Sequence, residues 1–451
     1  MALVTRSFDA ARSYLGSFAW DPFVRLSRAV VLNLLGRVET GYILIIDTDG
    51  SETVCGQRWP KAGLPKTELK VLKGAFWVRL LLFADMGLAE SFMLGEVECS
   101  DLVDFFKIFI LNRAHLANGT TLTSSLASTI TSLARSTNTL ANAQLNISAH
   151  YDISNKMFAA FLSEDMTYSC PIWLPITDPK SVFQTLEDAQ LLKLHYFINA
   201  AKIKSSDHVL EIGTGWGSFA IAAVRSTGCQ VTSLTLSREQ KELAEERIAA
   251  AGFQDHIEVL LCDYRALPTP GEGLYDKVVS IEMLEAVGKE YLDTYFECVH
   301  KLLKSDGGIA VFQCITMPEA RYEAYAKSED FIRKYIFPGG HLPTVSQLVA
   351  SIDRGSKGTL VVDSILNIGG HYAKTLRLWR ESFERNFENK IRPALLREHK
   401  DMAKRDVELF RRKWQYYFTY CEAGFSTKTL GDVILTLGRE GAVEMIEDVP
   451  L

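Results

Sequence analysis

The sequence predicts an α/β protein with a doubly wound, Rossmann-like sheet, a smaller N-terminal α+β domain and C-terminal helical additions. From His150 onward, short apolar runs alternate with helical patterns, which favours a parallel sheet because parallel strands need long crossover connections. The length of 451 residues, 47% of them hydrophobic, suits two or three domains with ample core. The predicted strands lie in "DHVLEIG", "CQVTSLTL", "HIEVLLCD", "YDKVVSIEM" and "GGIAVFQCI", and a predicted helix lies in "SREQKELAEERIAAAG".

The N-terminal region, residues 1–117, is predicted to combine short strands with helices. In "GYILIIDTDGSETVCG", two β-rich runs flank Asp49 and Gly50, which is a typical hairpin signal. The apolar spacing predicts amphipathic helices around 67–94 and 101–116. We therefore expect a small α+β domain ahead of the larger one.

Residues 118–148 separate this region from the larger domain, 149–451. The only charged residue among them is Arg135, and Ser, Thr, Ala and Asn dominate, which favours a linker. A helical spacing of apolar residues also allows an amphipathic segment that lies on protein or lipid. These apolar residues are Leu122, Leu126, Ile130 and Leu133.

Composition and spacing argue against several classes of protein. The net charge of −6 argues against a nucleic-acid binder, which usually carries a basic face. Eight cysteines without a CxxC pair and nine histidines without HxxxH or HExxH spacing predict neither a metal site nor a disulfide framework. No apolar run reaches the roughly 18–20 residues of a membrane span, and the N-terminus lacks the apolar core of a secretory signal. We expect a cytoplasmic protein that contacts a membrane surface peripherally.

A glycine-rich stretch, "VLEIGTGWGSFAI", places Gly213, Gly215 and Gly217 between a predicted strand and a predicted helix. Glycines let the backbone turn tightly and approach a ligand, and the first turn of the helix offers free N–H groups. The third glycine falls one place too early for the GxGxxG nicotinamide fingerprint. With Glu211 ahead of it, the pattern resembles motif I of S-adenosylmethionine-dependent methyltransferases. This resemblance implies that Glu211 and the three glycines bind S-adenosylmethionine.

The ends of the next two predicted strands add candidate cofactor contacts. Many of these methyltransferases carry an acid for the ribose at the end of the second strand, where this chain reads Thr235-Leu236-Ser237, followed by Gln240. After the third strand, "CDYRAL" supplies Asp263 and Tyr264, which suit the edge and the face of an adenine ring. The predicted contacts are Thr235, Leu236, Gln240, Asp263 and Tyr264.

Eight sequence blocks, in order, resemble a single family. Roughly the last 300 residues are similar to the cyclopropane-fatty-acyl-phospholipid synthases and the related mycolic acid cyclopropane synthases. The N-terminal stretch "GLAESFMLGEVECSDLVDFFKIFI" resembles, less distinctly, the additional domain of the phospholipid-acting members. The matching blocks are "HYDISNKMF", "MTYSC", "VLEIGTGWGSFA", "TLSREQ", "DYR", "EMLEAVG", "KYIFPGGHLP" and "GGHYAKTLRLW".

The resemblance implies transfer of a methylene group from S-adenosylmethionine to the cis double bond of an unsaturated acyl chain in a phospholipid. An alkene is a poor nucleophile, so the site must hold it dry and aligned with the sulfonium methyl group. The resulting carbocation closes to a cyclopropane ring when the new methyl group loses a proton, and in the family a bound bicarbonate is the base. The matching bicarbonate ligands are Cys170, Glu285, Gln313, the backbone of Ile315, and Tyr372; the "MTYSC" block adds Tyr168 and Ser169 as cofactor contacts.

Two positions depart from the bacterial members of the family. Gln313 stands where those members usually have histidine, and Ala286 follows Glu285 where they have a Glu-His pair. Glutamine donates a neutral hydrogen bond but is not protonated, so the base strength and the pH dependence stay open. Both forms resemble those of eukaryotic members, and we interpret them as a lineage variant rather than an inactive site.

Two further residues have competing interpretations. Cys170 taken alone is typical of a buried apolar cysteine, and only the surrounding blocks favour a bicarbonate ligand. Glu282 lies one helical turn before Glu285, and a solvated or capping role is as plausible for it as a catalytic one.

The function itself also has alternatives. Loss of a different proton from the same carbocation would give a methyl-branched or methylene chain, on a phospholipid or on a sphingolipid or specialised metabolite. A lipid-binding homologue without turnover would keep the fold, and the family suggests a homodimer. The residues that argue against a non-catalytic homologue are Glu211, Gly213, Gly215, Gly217, Glu285 and Tyr372.

Overall fold

The structure is a computed structural model that describes residues 16–58, 61–117, 154–267 and 275–447. The described residues cluster into two compact units. The first unit holds the described residues up to 117 together with 329–338 and 387–427, and the second unit holds the others. The segment 118–148 and the first four residues of the "HYDISNKMF" block lie outside the described residues, so the linker and amphipathic interpretations stay predictions.

The secondary structure alternates helices and strands over most of the described chain. The strands are β1 (Tyr42–Ile46), β2 (Glu52–Gly56), β3 (Lys66–Val71), β4 (Val97–Cys99), β5 (His208–Ile212), β6 (Gln230–Thr235), β7 (Ile257–Leu261), β8 (Lys277–Ile281), β9 (Ile309–Thr316), β10 (Val361–Asn367) and β11 (Gly431–Gly438). The helices are α1 (Gly16–Leu35), α2 (Ala75–Met93), α3 (Leu102–Leu111), α4 (Arg113–Ala117), α5 (Asn155–Phe161), α6 (Leu186–Ala200), α7 (Ser218–Thr227), α8 (Arg238–Ala251), α9 (Leu292–Leu302), α10 (Glu319–Lys327), α11 (Phe331–Tyr335), α12 (Val345–Ser356), α13 (Gly369–Asn386), α14 (Arg392–Glu398) and α15 (Lys404–Ser426).

The first unit contains a four-stranded sheet with the order β2-β1-β3-β4. Strands β1 and β2 pair antiparallel around Asp49 and Gly50, which confirms the predicted hairpin. The helix predicted around 67–94 is wrong at its start, because β3 occupies 66–71 and only 75–93 is helical. Burial alternates along β3, and this period of two is that of a strand with one buried face.

Helices from distant parts of the sequence pack within this first unit. The Phe106 ring on α3 lies 5.2 Å from the Tyr416 ring on α15 in an edge-to-face arrangement. Aromatic pairs favour this geometry. The buried Glu90 carboxylate accepts hydrogen bonds from Lys334 Nζ and Tyr335 Oη, both at 3.0 Å. Residues far beyond the N-terminal region therefore help to complete its core.

The second unit contains a seven-stranded sheet with the order β10-β11-β9-β8-β5-β6-β7. Strands β7, β6, β5, β8 and β9 are parallel, as the sequence predicts, and the doubly wound fold class is confirmed. The C-terminal additions contain the predicted helices and also two strands, because β10 lies among them and β11 follows, pairing antiparallel with both β9 and β10. Since β5 lies between β6 and β8, the strand order reverses there, and such switch points form crevices at the carboxyl ends of the strands.

The core of the second unit lies between this sheet and its helices. Helices α9 and α12 pack closely enough that the Cα of Gly355 faces Phe296 directly, and both residues are buried. A Cβ atom at Gly355 would stand 2.5 Å from the Asp293 carbonyl oxygen and 2.7 Å from the Phe296 Cβ. Glycine is therefore required here for close helix packing.

Within the described residues, no helix has the length and apolar character needed to cross a membrane.

We expect Gly355→Ala to lower the free energy of unfolding by about 1–3 kcal/mol, because the added methyl group overpacks the α9–α12 contact. Gly370→Ala is the matched control: it is exposed, it lies in α13, and a Cβ there meets no atom within 4 Å. The control should change stability by less than about 0.5 kcal/mol. Urea denaturation of both variants measures the difference, and equal stabilities would contradict the packing argument.

Candidate active site at the carboxyl ends of the parallel strands

The glycine loop connects the end of β5 to the start of α7. Gly213, Gly215 and Gly217 have φ angles of +107°, +52° and +82°, a region that favours glycine. The backbone N–H groups of Gly213 and Thr214 donate to the Leu234 carbonyl at 3.0 and 2.9 Å, which holds the loop against β6. A Cβ atom at Gly215 would meet nothing within 4 Å. The loop therefore leaves open space at the helix N-terminus.

Glu211 is buried beneath this loop. Its Oε2 accepts a hydrogen bond from Ser233 Oγ at 2.5 Å, and the same hydroxyl lies 2.7 Å from Thr214 Oγ1. Burial raises the pKa of Glu211 to about 8, although the Ser233 hydrogen bond opposes the shift. The carboxyl group is therefore mostly neutral at pH 7.

The predicted contacts after β6 and β7 lie at neighbouring strand ends. Thr235 Oγ1 donates to Gln240 Oε1 at 2.9 Å, while the Leu236 side chain is 74% exposed. Asp263 accepts two hydrogen bonds from the Arg265 guanidinium, at 2.9 and 2.6 Å, so its carboxylate is already engaged. Tyr264 is partly buried, with its ring 5.0 Å from that of Tyr295.

Tyr168 and Ser169 lie at the start of the "YSCPIW" stretch. The Tyr168 ring packs 5.1 Å from Phe158 and 5.0 Å from Trp379, which makes it part of an aromatic cluster. Ser169 is buried, and its hydroxyl accepts a hydrogen bond from Lys193 Nζ at 2.7 Å. Burial lowers the pKa of Lys193.

Glu282 follows β8 and is held by groups from three other segments. Its Oε1 accepts hydrogen bonds from the Cys170 backbone N at 2.6 Å and from Gln313 Nε2 at 2.8 Å. Its Oε2 accepts a hydrogen bond from the Tyr372 hydroxyl at 2.8 Å. The sequence allows either a solvated or capping role or a catalytic role for Glu282. The structure places its carboxylate in a polar cluster with Gln313 and Tyr372.

Gln313 connects this cluster to the last strand of the sheet. Its side chain is fully buried, and Nε2 also lies 3.0 Å from Asp432 Oδ2 and 3.2 Å from the Cys170 carbonyl oxygen. The carboxyl groups of Glu282 and Asp432 therefore both lie within hydrogen-bonding distance of this one amide. Burial raises the pKa of both, that of Asp432 well above its usual value. The negative charge of Glu282 also opposes ionisation of Asp432.

Glu285 and Cys170 complete the predicted set. The Ile315 backbone N donates to Glu285 Oε1 at 2.5 Å. Burial, reinforced by the charge of Glu282, raises the pKa of Glu285 to about 8. Burial also raises the pKa of the fully buried Cys170 thiol well above its usual value, so Cys170 is not a thiolate nucleophile.

The glycine loop and the acidic cluster lie directly beside each other. A Cβ atom at Gly213 would stand 3.4 Å from the Met283 Cβ, in the segment between Glu282 and Glu285. Within the described residues, no group of His, Cys, Asp and Glu side chains is arranged to hold a metal ion. The structure therefore brings the glycine loop and a cluster of acid and amide side chains together at the switch point of the sheet.

Sequence reasoning missed Asp432 and Lys193. Each left a signal: Asp432 is the acid in the otherwise apolar run "GDVILTLG", and Lys193 interrupts "AQLLKLHYF". Both side chains are fully buried, and ionisable groups are seldom fully buried unless they are paired.

We expect the Glu211→Gln variant to change how stability depends on pH in the ligand-free protein. The pKa of Glu211 rises from 4.5 to about 8 on folding, so its stabilising contribution is complete below pH 4.5 and declines as the pH rises through 8. Relative to Glu211→Gln, the wild type should therefore lose melting temperature between pH 5.5 and pH 9. Each unit of pKa difference corresponds to about 1.4 kcal/mol. A difference between the two proteins that is constant with pH would contradict the burial of a neutral Glu211.

Comparison with known proteins identifies the family. The sequence profile of the family described as mycolic acid cyclopropane synthetase matches residues 138–434. The tuberculostearic acid methyltransferase UfaA1 of Mycobacterium tuberculosis is 42% identical over 300 residues, 66% of this chain and 66% of that protein. The chain thus spans just under two thirds of that relative. The cyclopropane-fatty-acyl-phospholipid synthase of Escherichia coli is 30% identical over 396 residues, 85% of this chain and 91% of that protein.

Solved structures agree with this assignment. The mycolic acid cyclopropane synthase CmaA1 complexed with SAH and CTAB has a TM-score of 0.53 at 26% identity, over 66% of this chain and 98% of that chain. Coclaurine N-methyltransferase bound to N-methylheliamine and SAH has a TM-score of 0.57 at 17% identity, over 78% of this chain and 99% of that chain, and it supports the fold alone. The second unit has the fold of class I S-adenosylmethionine-dependent methyltransferases, and the chain belongs to the mycolic acid cyclopropane synthetase family.

Proposed function

We propose that this protein transfers a one-carbon unit from S-adenosylmethionine to the cis double bond of an unsaturated acyl chain of a phospholipid, forming a cyclopropane ring. The observation that carries the proposal is the contact between the open glycine loop and the buried acid and amide cluster at the switch point. Methyl transfer to an alkene followed by ring closure needs a methyl donor and a proton acceptor in adjoining places. The match over 85% of the chain to a named cyclopropane-fatty-acyl-phospholipid synthase supports it.

The residues around the glycine loop fit S-adenosylmethionine. The space at Gly215 and the free N–H groups of α7 suit a polar ligand, and the exposed Leu236 offers an apolar surface for an adenine ring. When bound, this cofactor supplies an electrophilic methyl group on a sulfonium. Glu211 and Ser233 lie under the loop, and the hydrogen bond between them is buried. The predicted cofactor contacts therefore belong to this proposal.

The phospholipid acceptor is supported by the name of a relative. The E. coli relative is named for a fatty-acyl-phospholipid substrate. A phospholipid acceptor would require the protein to work at a membrane surface, so peripheral membrane association belongs to the proposal. The family-based homodimer and the cytoplasmic location stay predictions.

The residues predicted to bind bicarbonate do not fit an additional anion in this structure. The Gln313 amide and the Tyr372 hydroxyl donate to Glu282, and the Ile315 N–H donates to Glu285. Burial raises the pKa of both glutamates and of Asp432. A further negative charge here would be subject to the same desolvation penalty. We therefore assign no step of the reaction to bicarbonate.

A second product is supported by a specific observation. The relative that is 42% identical is named a tuberculostearic acid methyltransferase, not a cyclopropane synthase. The same methyl transfer, followed by loss of a different proton, would give a methyl-branched or methylene chain. Both reactions would use the same loop and the same acids, so the residues of the site do not distinguish them. The structure of the product does.

We expect Gly215→Val to weaken S-adenosylmethionine binding by about tenfold or more, because the side chain fills the space at the loop. Gly252→Val is the matched control, since Gly252 has a φ of +76°, meets nothing within 4 Å and ends α8 at an exposed position. Both variants carry similar backbone strain, and only the first blocks the ligand. Titration calorimetry measures both affinities, and unchanged binding by Gly215→Val would overturn the cofactor assignment.

The activity itself is tested with purified protein, S-adenosylmethionine and vesicles of a cis-monounsaturated phospholipid. We expect mass spectrometry to show a gain of one CH2 in the acyl chain and proton NMR to show upfield ring signals. A CH2 gain without ring signals would support the methyl-branched alternative. Cofactor binding without any lipid product would overturn the proposed acceptor.

A further inference from the structure

We propose that the Glu282 carboxylate is the proton acceptor of the reaction and takes the place of a bound bicarbonate. The assignment rests on the proposed function, because it presupposes a carbocation that must lose a proton. It concerns a residue that the sequence resemblance does not include among the ligands of the base.

The first support is the set of donors around Glu282. Three of the positions that match bicarbonate ligands, Cys170, Gln313 and Tyr372, give hydrogen bonds to the Glu282 carboxylate, at 2.6, 2.8 and 2.8 Å. A carboxylate and a bicarbonate share the same planar pair of oxygen acceptors. A carboxylate of this chain is therefore held by donors that the sequence resemblance assigns to a bound bicarbonate.

The second support is the backbone of Glu282. Its φ angle is +48°, in the left-handed region that side chains other than glycine seldom adopt. The Glu282 N–H donates to the Gln313 carbonyl oxygen at 2.9 Å, which ties this strained residue to β9. Strain of this kind persists where the surrounding structure enforces it, and it is concentrated at functional sites. The conformation directs the carboxylate toward Gln313 and Tyr372.

The chemistry of the step is balanced with this residue as the base. The C–H bond of the transferred methyl group breaks, its electron pair closes the third carbon–carbon bond of the ring, and the proton passes to Glu282. The sulfonium has already left as a neutral thioether, and Glu282 later releases its proton to solvent. Hydrogen bonds on both carboxylate oxygens lower the nucleophilicity of Glu282, which limits its alkylation by the carbocation.

Neighbouring groups suit Glu282 to this role. Asp432 lies on the same Gln313 amide as Glu282, and burial together with the Glu282 charge raises the pKa of Asp432 well above its usual value, which favours Asp432 as the neutral member of the pair. The buried Lys193 ammonium opposes the increase in the Glu282 pKa that burial causes. Burial still raises that pKa, and a stronger base accepts a proton more readily near neutral pH.

The test compares wild type, Glu282→Gly and Glu282→Gln in buffers depleted of carbon dioxide and in the same buffers with added bicarbonate. Glycine accepts the positive φ without strain, so Glu282→Gly removes the carboxylate while favouring the native backbone. We expect wild-type turnover to be independent of bicarbonate, and both variants to lose about 10²–10⁴-fold in depleted buffer. Bicarbonate or formate should restore part of the Glu282→Gly activity, whereas the amide of Glu282→Gln occupies the position and prevents rescue.

A binding measurement provides a readout that does not depend on turnover. Line broadening of carbon-13 bicarbonate in NMR should be absent with wild type and present with Glu282→Gly. Lys357→Gly is the matched control, because Lys357 has a φ of +57° at the exposed end of α12, and its replacement should leave turnover and bicarbonate binding unchanged.

The outcomes separate this assignment from the proposed function. Wild-type product formation that requires bicarbonate, or full activity of Glu282→Gly in depleted buffer, would overturn the role of Glu282 alone. A wild type that binds S-adenosylmethionine but converts no unsaturated lipid would overturn the proposed function, and the role of Glu282 with it.

Discussion

The second unit depends on one physical constraint, which is that carboxyl groups buried at the end of a sheet need hydrogen-bond donors. The amide of Gln313 meets this need by lying within 3.2 Å of acceptors on Cys170, Glu282 and Asp432. Those acceptors belong to three separate segments, so one neutral side chain fixes the positions of all of them. A charged donor would stabilise ionised acids strongly, whereas an amide leaves their proton affinity high. Burial raises the pKa of Asp432, and the Gln313 hydrogen bond opposes that shift only in part.

Much of the fold and part of the site follow from local sequence. The five parallel strands are short apolar runs between helical patterns, and the glycine loop has a spacing that is typical of a strand-to-helix turn, so both were predictable. The helix predicted at β3 overlooked a local signal, since "KTELKV" has charged residues at alternate positions, a period of two that is typical of a strand. The hydrogen bonds of Glu282 depend instead on residues 31 to 112 positions away. Spacing along the chain does not reveal whether Glu282 or Glu285 accepts those hydrogen bonds.

The missed residues have the same physical explanation. Asp432 lies in a strand whose residues are all buried, and it reaches Gln313 as a diagonal neighbour across the β9–β11 pair, where Asp432 is opposite Ile315 and Gln313 is opposite Ile434. This register exists only after β11 has joined the sheet. An acid within an apolar run signals a buried partner, but the sequence does not name the partner.

The position of β11 also has a consequence for synthesis of the chain on the ribosome. Strand β11 is the last strand of the described chain, yet it lies between β9 and β10. Until residues 431–438 leave the ribosomal exit tunnel, β9 presents an unpaired edge, and the nascent chain carries the aggregation risk of an exposed strand. Residues 387–427, which join the other unit, are made during this interval. The polar cluster is therefore not complete until Asp432 has been synthesised, and a chain truncated before Asp432 would have an incomplete site.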